Sequence, residues 1–207
     1  QEAKRQADAE AANWENRIAE GRSKYPDAKI DEIVNDVTLP VSDAMAGVIK
    51  RSADGVDLLV HLNANRDLAQ KIAGALCPGD CLLLEGPIGA GKTHFARHLI
   101  QSLQDIPEDV PSPTFTLVQT YEVPAGELWH ADLYRLSSLD EVEELGLLAA
   151  FDTAITLVEW PDRLEELAPQ HALHLTFALD PDSEDARLLT LRWSDDRWQP
   201  LMEQVFS

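Results

Sequence analysis

The chain has 207 residues, 44% of them apolar, enough for one substantial α/β domain and an appendage. No stretch approaches the roughly 20 apolar residues that a membrane span needs, and two cysteines are too few for a disulfide framework. The formal net charge of −20 is uneven: residues 1–66 hold 9 Lys+Arg against 12 Asp+Glu and residues 67–207 hold 8 against 25, a net −17, so strong autonomous nucleic-acid binding is not expected and a basic protein partner fits better.

The opening run, residues 1–34, is rich in Ala, Glu, Lys and Arg and poor in large apolar residues, which favours helix without supplying a core. A short helix through Ile49, capped by Ser42, is expected next, and Asp54-Gly55 breaks the chain before another apolar stretch. Composition and pattern change near Asn63 to Asp67. Residues 1–64 are therefore expected to form a helical, dispensable appendage and 65–207 a complete domain, with Leu58 to Leu62 available as an edge strand.

From Leu68, apolar residues recur at helical spacing (Leu68, Ile72, Ala73, Leu76). Pro78-Gly79-Asp80 turns the chain into a short buried strand, Cys81 to Leu84. Further strands are predicted at Thr116–Val118, Leu128–Ala131, Ile155–Val158, Leu173–Leu179 and Leu188–Trp193. This order fits an α/β fold of the P-loop NTPase type, with a mostly parallel sheet flanked by helices and ending in an antiparallel pair. Cys77 and Cys81 are expected to be buried apolar fillers.

Between the first strand and its helix stands Gly86-Pro87-Ile88-Gly89-Ala90-Gly91-Lys92-Thr93, which fits G-x-x-x-x-G-K-[ST] without a mismatch. Small residues such as Gly86, Gly89, Ala90 and Gly91 let the backbone curl round a phosphate and aim N–H groups at it, helped by the positive end of the following helix. Lys92 is the point charge for the β- and γ-phosphates, and the Thr93 hydroxyl is placed to coordinate magnesium. Such a site also needs a carboxylate at the end of a neighbouring strand. Asp132 and Glu159 both end apolar runs, and pattern alone does not choose between them.

Three flanking motifs are distinctive: Ser112-Pro113-Thr114-Phe115, then His130-Ala131-Asp132-Leu133-Tyr134-Arg135, then Val158-Glu159-Trp160-Pro161. With GAGKT, and in this order, they closely resemble the TsaE (YjeE) family of small bacterial ATPases over about residues 65–195. That resemblance implies a role in threonylcarbamoyl (t6A) modification of tRNA beside the anticodon, with ATP and Mg2+ as cofactors and a TsaB–TsaD type complex as partner. It further implies that Lys92 and Thr93 contact phosphates and magnesium, that Glu159 is a magnesium ligand, that Asp132 is needed for hydrolysis, and that Ser112 and above all Thr114 sense the nucleotide. With no stretch of membrane-span length, a cytoplasmic location is expected. Residues 20–66 resemble only in flavour the acidic helical segments of some phage scaffolding-type proteins.

The chain departs from the family at Pro87, where an acidic residue is common, and at His94, where a second hydroxyl is common; neither change removes a direct phosphate ligand. His94 and His98 lie four apart on a predicted helix without a third metal ligand, and they read as ordinary surface or packing residues, as do His171 and His174. The competing reading is a small-molecule or nucleotide kinase, which needs a lid and arginines that clamp both substrates. A third, a scaffold with a purely structural nucleotide, sits poorly with the presence of Thr93, Asp132 and Glu159.

Overall fold

The computed structural model describes residues 2–36, 43–52, 55–180 and 183–206, which divide into two units. The first comprises Gln1–Asn65 with Asp180–Ala186. It holds helices α1 (Glu2–Lys24), α2 (Ile30–Val34) and α3 (Asp43–Arg51) and the first turns of α4 (Gly55–Ala73). Good helix formers make α1 long despite its mostly polar surface. Its core is small: Ile33, Ile49 and Leu59, with Trp14, Ala28 and Val34 packed on them. Arg17 Nη1 ties this unit together by donating to the carbonyls of Lys50, at 2.9 Å, and Ser52.

Leu58 to Leu62 do not form an edge strand; they lie inside α4. Val56 and Leu59, three apart, are both buried, so the apolar spacing there has the helical period. Ser42, the expected cap of α3, lies outside the described residues.

The second unit, Arg66–Leu179 with Arg187–Ser207, is built on a six-stranded sheet in the order β2-β3-β4-β1-β5-β6. The strands are β1 (Cys81–Glu85), β2 (Val118–Val123), β3 (Gly126–Asp132), β4 (Ile155–Glu159), β5 (Leu173–Asp180) and β6 (Ser183–Arg192). β3, β4, β1 and β5 run parallel, and β2 pairs antiparallel with β3 at an edge. The central β1 is buried along Cys81–Leu84 because both faces of the sheet are covered. Leu82 and Leu84 point to one face, where they join Phe95, Leu99 and Ile100 of α5 (Lys92–Leu103) and Ala69 and Ile72 of α4. Cys81 and Leu83 point to the other, toward α6 (Leu139–Glu144) and α7 (Leu147–Thr153) through Val142, Leu147 and Phe151. Each fully buried leucine contributes on the order of 2 kcal/mol.

The structure departs from the sequence-based expectation at three further points. The strand expected at Thr116–Val118 is β2, starting only at Val118; the preceding Leu117 has φ 65 and ends a turn in which its N–H donates to the Pro113 carbonyl at 2.6 Å. Cys77 is exposed rather than buried, 3.4 Å from the guanidinium of Arg197, whereas Cys81 is buried and its thiol is pushed up to about 12 by burial. The C-terminal α8 (Gln199–Val205), which no pattern predicted, adds Leu201 and Met202 to the core beside the fully buried Trp198.

Register places the functional ends of the strands together. Leu84 of β1 aligns with Glu159 of β4, and Glu159 aligns in turn with Asp132 of β3. Both carboxylates therefore sit at the C-terminal edge of the parallel sheet, where the loop after β1 also begins.

Candidate nucleotide-binding site

The loop from Gly86 to Gly91 takes backbone conformations that side chains rarely allow: Gly86, Gly89 and Gly91 have φ of 137, 77 and 105. At Gly86 a Cβ would also run into the Phe177 carbonyl of β5, so glycine there is a packing requirement as well as a torsional one. Around Gly89 and Gly91 a Cβ would meet no atom of the described residues within 4 Å; those positions leave the concave face of the loop open. α5 begins directly at Lys92 with Gly91 as its N-cap, so its free N–H groups and positive end face the loop.

Lys92 is only 4% exposed. Its Nζ donates to the Gly86 carbonyl at 2.7 Å and the Pro87 carbonyl at 2.9 Å, and lies 4.1 Å from the centre of the Trp160 ring. Burial draws this ammonium below the usual lysine value, against the pull of the Glu159, Asp132 and Asp162 charges. Trp160 itself has φ 59 and packs on Tyr134 with ring centres 4.8 Å apart, so its indole is held beside the lysine.

Two hydroxyl–carboxylate pairs face the loop. Thr93 Oγ1 donates to Glu159 Oε2 at 2.8 Å, and Thr114 Oγ1 donates to Asp132 Oδ2 at 2.6 Å. Asp132 Oδ1 also accepts the Tyr134 backbone N–H at 3.0 Å, and Ser112 Oγ lies 2.8 Å from Thr114 Oγ1. Asp132 and Glu159 are 3% and 2% exposed. A buried carboxylate is costly unless it is paired, so these bonds are what make the burial tolerable.

The structure thus brings Lys92, Thr93, Thr114, Asp132 and Glu159 to one end of the sheet beside Gly86, Gly89, Ala90 and Gly91. Sequence reasoning missed His130, whose Nε2 is 3.0 Å from Glu159 Oε1 and which is fully buried. Strand parity could have found it: residues two apart share a face, so His130 points the same way as Asp132. Arg135, the last residue of the His130 to Arg135 motif, holds its guanidinium carbon 5.4 Å from the centre of the Phe115 ring, and Phe115 is 85% exposed.

The fit to a magnesium-bound nucleotide rests on this donor set. The ion prefers one or two protein oxygens plus phosphate and water, and a hydroxyl hydrogen-bonded to a buried carboxylate is such a pair. No group of three or more His, Cys, Asp or Glu side chains suited to an all-protein metal site occurs among the described residues. His94 and His98 pack edge to face with Nε2 atoms 3.1 Å apart, one ring donating and the other accepting. Burial, reinforced by His94, Arg97 and Arg66, pushes His98 down to about 4.

The family model described as "Threonylcarbamoyl adenosine biosynthesis protein TsaE" matches residues 59–188. This chain belongs to the TsaE family. The chain is 37% identical over 126 residues to the tRNA threonylcarbamoyladenosine biosynthesis protein TsaE of Rickettsia bellii, covering 61% of this chain and 86% of that one. It is 36% identical over 147 residues to the protein of the same name from Bacillus subtilis, covering 70% of this chain and 90% of that one. The crystal structure of Bacillus subtilis YdiB superposes with a TM-score of 0.55 at 31% identity, over 70% of this chain and 88% of that one. All four TsaE-like motifs lie within the matched residues, and the P-loop of this TsaE-family chain stands between β1 and α5. No described helix is long and apolar enough to cross a membrane.

Proposed function

We propose that this chain binds ATP with magnesium and hydrolyses it as an accessory protein of t6A modification of tRNA in the cytoplasm, acting on a complex of TsaB–TsaD type. The observation that carries the reading is the Thr93–Glu159 hydrogen bond at 2.8 Å beside a P-loop lysine. The family supplies the pathway, since its matched relatives are named for threonylcarbamoyladenosine biosynthesis.

In this reading Gly86 to Gly91 wrap the β-phosphate with backbone N–H groups, and Lys92 exchanges its two loop carbonyls for phosphate oxygens. Thr93 and Glu159 would hold the magnesium ion, which would supply positive charge to the phosphates. Asp132, fixed by Thr114 and the Tyr134 N–H, keeps free lone pairs with which to orient the attacking water and accept its proton. Thr114 links the Ser112–Phe115 loop to that carboxylate, so the loop reads the occupancy of the γ-phosphate position.

A kinase would need arginines free to clamp an acceptor. Arg97 donates to the Val110 carbonyl, Arg197 pairs with Asp80, and Arg192 lies 3.7 Å from Glu85. ATP hydrolysis measured with and without the TsaB–TsaD type complex tests the proposal. Partner-stimulated phosphate release with no phosphorylated product is expected; transfer to a small acceptor would replace this reading with a kinase.

A further inference from the structure

We propose that His130 is a positioning residue for magnesium: it donates Nε2–H to Glu159 Oε1 and so fixes which oxygen of that carboxylate faces Thr93. The inference rests on the reading of Thr93 and Glu159 as the magnesium-holding pair.

Three observations carry it. Glu159 is 2% exposed, and among the described residues its Oε2 meets Thr93 Oγ1 at 2.8 Å and its Oε1 meets His130 Nε2 at 3.0 Å. His130 is fully buried, and its other ring nitrogen, Nδ1, has no hydrogen-bond partner among the described residues although it too is buried. A proton on Nδ1 would be a buried donor without an acceptor, while Nε2 would then face the carboxylate with a lone pair; a proton on Nε2 avoids both costs. The ring is therefore the tautomer that donates to Glu159. Third, β3 and β4 are in register at His130↔Leu157 and Asp132↔Glu159, so the histidine reaches across to the glutamate from a rigid neighbouring strand rather than from a loop.

The consequence is orientational. A carboxylate held at one oxygen by a fixed N–H cannot swing away from the hydroxyl opposite, and partners of this kind typically change metal affinity by about 10–100-fold when removed. Without His130, Glu159 loses one of its two short hydrogen bonds and the remaining Thr93 contact no longer sets its plane.

The test uses the full chain and two variants, His130→Leu, which removes the donor, and His130→Gln, which restores an N–H near the same place. Binding of a non-hydrolysable ATP analogue is titrated calorimetrically with magnesium and with chelator. His130→Leu is expected to lose about 10–100-fold of the affinity that magnesium adds, with the chelator value unchanged, and His130→Gln to recover most of it. A His130→Leu chain that binds the magnesium complex like wild type overturns the role of His130 alone. Wild-type affinity indifferent to magnesium would overturn the metal reading of Glu159 and this inference with it. Nitrogen-15 shifts of labelled histidine in the ligand-free chain, assigned by His130→Gln, give a readout independent of folding defects in the leucine variant. A proton on Nε2 is expected, and a proton on Nδ1 overturns the proposal.

Discussion

Thr93 Oγ1 donates a 2.8 Å hydrogen bond to Glu159 Oε2, joining the first turn of α5 to the end of β4 across 66 positions of sequence. The bond connects the residue that closes the P-loop motif with the acid of the Val158-Glu159-Trp160 motif, and it exists because β1 and β4 are parallel neighbours. Glu159→Gln keeps the shape but removes the charge. Hydrolysis is expected to fall by at least tenfold, roughly, while nucleotide still binds. Intact turnover by this variant would shift the metal-linked role to Asp132.

Thr114→Val removes the hydroxyl that holds Asp132 Oδ2 at 2.6 Å. A neutral replacement of similar volume leaves the loop packed but the carboxylate short of one donor, at a cost of about 1–3 kcal/mol. Turnover should drop while nucleotide affinity stays near wild type, and Thr114→Ser should retain more activity than Val. Equal kinetics in all three chains would separate Thr114 from catalysis.

Gly86→Ala tests the fold of the loop rather than its chemistry. Its φ of 137 and the Phe177 carbonyl in the path of a Cβ make the substitution strained twice over. Denaturant unfolding should show a loss of at least about 1–3 kcal/mol, and unchanged stability would mean that β5 yields freely at Phe177.

Stability should depend on pH through His98. Its folded value is pushed down to about 4 by burial, then by His94, Arg97 and Arg66, while the unfolded ring titrates near 6.5. Between those values the unfolded chain binds more protons, so this contribution is complete above pH 6.5 and is lost as pH falls toward 4. Replacing His98 with Gln should flatten the melting-temperature profile over that interval. A profile as steep as that of wild type would assign the acid sensitivity to other groups.

The appendage reading is also open to a direct test. A chain beginning at Ser52 keeps α4 whole, including Ala69 and Ile72 of the main core, whereas one beginning at Asn65 cuts the helix. The longer truncation product, from Ser52, should bind nucleotide like the full chain. Insolubility or loss of binding would make residues 1–51 part of the functional domain.

Much of the second unit was legible because its signals are local. Cys81–Leu84, Ile155–Val158 and Leu173–Leu179 are short apolar runs bounded by turn residues, and the P-loop pattern falls between a strand and a helix. β2 was poorly legible because Gln119 to Glu122 are polar or only half-buried at the sheet edge, leaving little apolar contrast. Leu58 to Leu62 misled because a short apolar run does not distinguish strand from helix, and the burial of Val56 and Leu59 that settles its period is visible only in the fold. The Thr93–Glu159 and Thr114–Asp132 pairings depend on strand order, which no single motif encodes. His130 was hidden by its place in an apolar run, although its parity with Asp132 was available.

The most direct test of the account is calorimetric titration of the full chain with magnesium ATP, compared with Lys92→Ala. Lys92 is the buried cation that faces the loop, and losing its charge-assisted contacts removes about 1.5–3 kcal/mol, roughly 10–100-fold in affinity. Saturable binding by the wild type and a loss of that size in the variant are expected. Equal affinity in the two chains, or no binding by the wild type, would contradict it.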